Sequence, residues 1–288
     1  MSYRTIENIF NAPTHHWVGD GFKVNNFIPT LIPMQRISPF VMLDYGAKTY
    51  FPPSDQPKGV GSHPHRGFET VTIAYKGKVA HHDSRGNSGI IGQGEVQWMT
   101  AGSGILHKEY HEQEFSKIGG DFQMVQLWVN LPAKDKMTEP KYQALTKDKI
   151  EKIELENNAG TIELIAGDLL GKTGPAFTFS PVILASLRLN KDGEFEFEIP
   201  QDFNCSVLIL EGDVIINDSK VVENQMVLFN NDGQTINVKA NTDSILLVMA
   251  GQPLNEPIFS YGPFLMNTKQ QIIEAIEDFN AGKFGELE

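Results

Sequence analysis

The stretch GSHPHRGFETV, residues 61–71, sets two histidines two positions apart and a glutamate four positions beyond the second. Along an extended strand, residues i and i+2 point to the same face and lie about 6.6 Å apart. His63 and His65 can therefore aim both imidazoles at one ion, and Glu69 joins them if the strand runs on unbroken. Val71 and Ile73 continue the same odd-numbered face and are apolar, so that face is expected to be the interior one. A lone His-x-His is more often a loop or a satisfied core pair. The metal reading therefore needs further ligands elsewhere in the chain.

A second pair supplies them. In GSGILHKEYH, residues 102–111, His107 and Glu109 are again two apart and share a face. Two such pairs on neighbouring strands bring together three imidazoles and a carboxylate. That set suits a divalent first-row metal: iron, manganese, cobalt, nickel, copper or zinc. Four protein ligands inside a barrel leave one or two coordination positions open, the mark of a catalytic rather than a structural site. All eight histidines (15, 16, 63, 65, 81, 82, 107 and 111) fall in the first 111 residues, so a histidine site must lie in the N-terminal half. His15–His16 and His81–His82 are adjacent pairs that point to opposite strand faces, which weakens them as ligands. His111 continues the odd face of the second motif and is the stronger of these remaining candidates.

The rest of the chain is consistent with a barrel around such a site. Short alternating segments such as Thr70–Tyr75 are punctuated by Gly77, Gly86, Gly92, Gly94, Gly102 and Gly104. Many short strands with glycine-rich turns predict an all-β sandwich or barrel. No glycine-rich phosphate loop precedes a helix, so nucleotide binding has no support. YKGKVAHHDSRG (75–86) is echoed by LEGDVIINDSK (210–220), and GQGEVQWM by VENQMVLF, which predicts a duplicated β unit. Residues 131–147 read as a connector. Strands resume at 161–165, 182–189, 195–199, 206–210, 214–217, 225–229 and 244–249. One helix is predicted near the end, capped by Thr268 with Gln271, carrying Ile272, Ile273, Ile276 and Phe279 on one face and ended by Gly282.

Composition bounds the function. The 288 residues are 40% hydrophobic and 21% charged, enough to bury a sizeable core. The single cysteine, Cys205, excludes an intrachain disulfide and fits a reducing compartment. Neither a leader segment nor a membrane-length apolar run is visible, so a cytoplasmic location is expected, or a nuclear one in a eukaryote. A net charge of −12 disfavours direct nucleic-acid binding and leaves a basic protein partner open.

His-x-His-x3-Glu, followed some forty residues later by a glycine-rich turn and a histidine, resembles the two motifs of the cupin superfamily. More closely, HPHRGFETVT, GEVQWMTAGSGILHKE, HWVGDGF, SPFVMLDY and GPFLMNT resemble the pirin family, in matching order over most of the chain. The resemblance implies a bicupin: two jelly-roll type β-barrels face to face with a short C-terminal helix. Residues 1–135 would form the metal-binding domain, and 136–288 a second barrel without ligands that carries the helix. It implies His63, His65, His107 and Glu109 as ligands to one divalent metal, usually iron. Glu69, at the general cupin glutamate position, then becomes a neighbour of the metal. Gly77 comes one residue later than the general cupin spacing, a departure that bears on the placement of Glu69.

In activity, the resemblance implies a dioxygenase that cleaves a small aromatic flavonol such as quercetin with O2 and releases carbon monoxide. Glu109 or Glu69 would handle the hydroxyl proton. Phe40, Met42, Trp98, Met99, Met124 and Trp128 would be the aromatic and methionine lining. The alternative within the same family is a non-enzymatic transcriptional co-regulator that uses the same metal and its redox state to control binding of a protein partner.

Overall fold

The computed structural model describes residues 2–287, which divide into two compact units of mainly β structure. One unit takes 14–35, 39–146 and 254–287 and contains all eight histidines; the other takes 2–13, 36–38 and 147–253. Among the described residues no helix is long and apolar enough to cross a membrane.

The histidine-bearing unit is built on two main antiparallel sheets, with a two-stranded ribbon, Phe259–Tyr261 and Phe264–Met266, near its C-terminal helix. The larger runs Lys141–Leu145, Val96–Thr100, Phe68–Lys76, Gly120–Asn130, Phe40–Phe51, Phe22–Ile28, His16–Val18. The smaller runs Gly59–His65, Ile105–His111, Val79–Asp83, Ser88–Ile91. The other unit repeats this plan of seven strands and four. The sequence echo marks the repeat. Phe68–Lys76 and Asn204–Glu211 each end at a left-handed glycine, Gly77 and Gly212, and lead into a hairpin of the smaller sheet. The chain then returns to the larger sheet as Val96–Thr100 or Gln225–Phe229. All seven strands expected after residue 160 form, with ends shifted by at most two residues.

The opening motif does not run on as one strand. Gly59–His65 belongs to the smaller sheet and Phe68–Lys76 to the larger. The chain turns between them at Gly67, whose φ is +89° and whose absent Cβ would sit 2.1 Å from the Leu265 carbonyl oxygen. That backbone conformation is one glycine tolerates and other residues resist. The face occupied by His63 and His65 therefore does not carry over to Glu69, Val71 and Ile73.

The units also depart from the expected boundary at 135/136. Ile6–Asn11 adds to the outer edge of Gln225–Phe229 in the second unit, hydrogen-bonding an edge that would otherwise be bare. In the histidine unit the matching place is taken by Lys141–Leu145, which lies inside the expected connector and pairs with Val96–Thr100. The helix Lys269–Asn280 packs in the histidine unit, not in the second one. Its cap is as expected: Thr268 Oγ1 accepts from the Gln271 amide at 3.2 Å. Ile272 and Ala275 are buried, whereas Ile273 and Phe279 are exposed.

The C-terminal segment clasps the turn after the histidines. Arg66 pairs with Asp278 at 2.9 Å, donates to Ser103 O at 2.7 Å and lies 4.7 Å from the Phe284 ring centroid. The buried Lys136 ammonium donates to Gly67 O, Asn130 Oδ1 and Leu265 O at 2.8, 2.6 and 3.0 Å.

Candidate metal centre

His63 and His65 stand on the edge strand of the smaller sheet, and His107 and Glu109 on its neighbour. His107 is in register with His63; a bulge then places Glu109 opposite Val60. The register gathers the three imidazoles, tilted to one another, with ring centroids 4.3 Å (His63–His107), 4.8 Å (His65–His107) and 4.8 Å (His63–His65) apart. One nitrogen from each lies within 4.8 Å of the others. Neighbouring ligand atoms of an ion held at about 2.1 Å lie about 3.0–3.6 Å apart, so these rings need to draw together around it.

Electrostatics prepares the rings for a cation. Burial, and then the neighbouring imidazoles, hold His65 and His107 well below the ordinary histidine pKa. They are neutral, the state a metal ligand requires. His107 Nε2 is buried and has no hydrogen-bond partner, a vacancy of the kind a metal fills. Donor type, spacing and this orphaned nitrogen together fit a first-row divalent ion.

Glu109 is held from the opposite sheet. Its Oε1 accepts from Thr72 Oγ1 at 2.9 Å and from Gln97 Nε2, and its Oε2 accepts from Gln126 Nε2 at 2.6 Å. These donors belong to a row. Asn26, Asp44, Gln126, Thr72 and Gln97 are successive register partners across five strands of the larger sheet. Counting from Gly77 and Gly212, Thr72 corresponds to Val207. The register through Val207 in the second unit reads Leu164, Ala185, Val248, Val207, Val227, all buried in its apolar core. The strands matching the histidine pair, Glu194–Glu198 and Thr235–Ala240, place Phe197, Ile236 and Val238 in that core. One unit has a polar row under a histidine cluster; the other has hydrocarbon at both places.

The expected site residues separate accordingly. His63, His65 and His107 converge, and Glu109 groups with His107. Glu69 does not join them: it alternates with Phe68, whose ring is 5.0 Å from His65, and it shares the face opposite Thr72. There it accepts from Thr100 Oγ1 at 2.7 Å. Burial pushes its carboxyl up to about 7, against that hydrogen bond. Val71 and Ile73 are buried on that same outer face, because Phe68–Lys76 is covered on both sides. His111 is a core residue: its Nε2 donates to Gly21 O at 2.8 Å, its ring meets Phe51 and Phe122, and burial pulls it to about 4. His15 and His16 are exposed, and His82 bonds Tyr110 Oη at 2.9 Å.

His81, a weaker candidate by sequence, is at the site. Its Nδ1 is 3.5 Å from His107 Nδ1 and its Nε2 is 3.4 Å from Asp83 Oδ2, and it forms a second close group with His107 and Glu109. Tyr142, from the expected connector, stacks on it at 5.0 Å. Of the expected lining, Trp128 lies edge-on to His65 and stacked on Phe68, and Met124 faces the cavity beside the centre; Trp98 pairs with Val71 and falls on the outer face. That cavity, about 30 Å³, is bounded by Val18, Phe22, Asp44, His63, Glu109 and Gln126, among others.

Sequence reasoning missed Asp44, Thr72, Gln97 and Gln126. Asp44 and Gln126 did carry a signal, since each interrupts a run of apolar residues in FVMLDYG (40–46) and QMVQLWV (123–129), whereas Thr72 and Gln97 sit in ordinary strand alternation.

Comparison with known proteins agrees with this construction. Residues 21–129 match the pirin family model and 184–285 match that of the pirin C-terminal cupin domain. A Pseudomonas aeruginosa protein whose provisional name is quercetin 2,3-dioxygenase is 46% identical over 281 residues, covering 98% of both chains. Human pirin is 34% identical over 258 residues, covering 88% of this chain and 84% of its own. The crystal structure of quercetin 2,3-dioxygenase from Acinetobacter baumannii superposes with a TM-score of 0.95 at 46% identity, covering all of both chains. With its two duplicated sheet pairs and its histidine cluster confined to one of them, the chain belongs to the pirin family and is built of two cupin domains.

Proposed function

We propose that the protein binds one divalent first-row metal, iron by family resemblance, through His63, His65, His107 and Glu109, and acts as a dioxygenase that opens a flavonol-type ring with O2. The observation that carries this reading is the cluster of three imidazoles, His63, His65 and His107, with the hydrogen-bonded Glu109 carboxylate grouped beside His107. When bound, the metal supplies Lewis acidity toward a substrate oxygen and a redox centre for O2.

The chain's own residues do the rest. Thr72, Gln97 and Gln126 fix the orientation of the Glu109 carboxylate. Val18, Phe22 and Met124 form part of the apolar wall of the cavity, beside its charged and polar groups. Glu109 is committed to its donors, and Glu69 faces away, so neither is well placed to take the hydroxyl proton.

The size of the cavity favours a second reading. A drug-sized ligand needs roughly 300 Å³ or more, and the present space holds little beyond water or dioxygen. A three-ring substrate enters only if the wall formed by His16–Val18 and Phe22–Ile28 gives way. A protein that never opens would instead use its metal as a regulatory co-factor that modulates a partner-binding surface.

One experiment separates the two. Metal-replete protein is mixed aerobically with quercetin, following loss of flavonol absorbance and release of carbon monoxide. Turnover that needs the metal supports the dioxygenase; metal-replete protein without turnover supports the regulator.

A further inference from the structure

One carboxylate in the cavity has no task in the metal centre. Asp44 lines the same cavity as His63 and Glu109 and is only 8% exposed. Its Oδ1 accepts from Asn26 Nδ2 at 2.8 Å. The Asn26 amide is itself oriented, because its Oδ1 accepts from Thr30 Oγ1 at 2.7 Å and from the Thr30 amide at 3.3 Å. Asp44 Oδ2 has no hydrogen bond among the described residues. Asp44 is also the register partner of Gln126, the donor to Glu109, so carboxylate and metal centre are held by adjacent positions of one row.

We propose that Asp44 is the catalytic base of this site, accepting the hydroxyl proton of an enol-type substrate such as a flavonol whose deprotonated oxygen faces the His/Glu centre. The proposal rests on the dioxygenase reading above. The substrate O–H bond breaks heterolytically: the proton goes to Asp44 Oδ2 and the electron pair stays on the substrate oxygen. Asp44 becomes a neutral acid whose Oδ1 still accepts from Asn26, and it returns the proton to the carboxyl group of the ring-opened product. Burial raises the Asp44 carboxyl above its ordinary value, against the Asn26 hydrogen bond and His16. A less acidic carboxylate is the better acceptor. In the second unit the matching register position is Ala185, where the sheet carries no chemistry.

The test uses the full-length, metal-loaded protein with quercetin under anaerobic and then aerobic conditions. Bound flavonol absorbs to longer wavelength once its hydroxyl is deprotonated, so the anaerobic spectrum reads the proton transfer without turnover. Wild type is expected to show the red shift. Asp44→Asn, nearly isosteric, is expected to keep stoichiometric metal by elemental analysis, lose the shift and turn over at least about 100-fold more slowly. Asp44→Ala with added formate is expected to recover shift and rate together, which a purely structural role would not do. A full red shift and a wild-type rate in Asp44→Asn would overturn the assignment, as would Asp44→Ala that stays dead in formate while retaining its metal. If wild type neither shifts nor turns over quercetin, the dioxygenase reading itself fails, and this proposal with it.

Discussion

Replacing Gln126 by valine, the residue at its place in the second unit (Val248), tests whether the polar row holds Glu109 ready for a cation. Gln126 Nε2 is the donor to Glu109 Oε2, at 2.6 Å, while Thr72 and Gln97 serve the other oxygen. A donor lost from a buried carboxylate removes about 1.5–3 kcal/mol of support for the charged form. Outer partners of metal ligands commonly change affinity by about 10- to 100-fold, which is about 1.4–2.7 kcal/mol. The two routes agree, so Gln126→Val should weaken metal binding by one to two decades. The assay is competition with a chelator of known affinity at fixed pH. A Glu109→Gln background provides the cycle: with no carboxylate to hold, adding Gln126→Val should change affinity little. Affinity within twofold of wild type in Gln126→Val would refute the argument that the row prepares the ligand.

Further outcomes follow from the same geometry. His107→Ala and His63→Ala should each purify with far less than one metal per chain by elemental analysis, while His111→Phe, a core substitution, should keep full occupancy. Lys136→Met strands three buried acceptors and should cost about 3 kcal/mol in urea unfolding. Burial pulls the Lys136 ammonium down to about 7. The unfolded chain keeps that proton to near 10.5, so this group makes stability rise with pH between about 7 and 10, by up to about 1.4 kcal/mol per unit. Lys136→Met should flatten that rise in unfolding free energy. Val18→Ala, at the cavity wall, should raise kcat/KM for quercetin by about tenfold if substrate entry is limited by that wall.

Much of the centre was legible in two short motifs, because strand alternation and cross-strand register act on residues close in sequence. The clustering of His63, His65 and His107, with Glu109 beside His107, needed only that two strands lie side by side. Glu69 was misplaced because its face depends on one dihedral angle: the left-handed turn at Gly67 moves the chain between sheets and resets the alternation. Val71 and Ile73 gave no warning, since a strand covered on both faces looks apolar whichever side holds the site. Asp44, Gln126, Thr72 and Gln97 were missed for a different reason. They are far apart in sequence, and only the register of five strands makes them one row. The duplication was legible through Gly77 and Gly212, whereas the exchange of terminal segments was not, since an edge strand accepts any suitable partner through its backbone.

That exchange sets an order of events during synthesis. Residues 6–11 leave the ribosome more than two hundred residues before Gln225–Phe229, the strand they pair with. Throughout that interval the histidine unit can assemble its sheets, while this short segment waits unpaired. Until it docks, the edge at Gln225–Phe229 stays open to any other strand, including the same edge of a sister chain. An affinity tag fused ahead of Ile6, or a truncation that removes it, therefore acts on the half of the protein farthest away in sequence. The damage would register as aggregation of newly made chains, with the metal ligands themselves untouched.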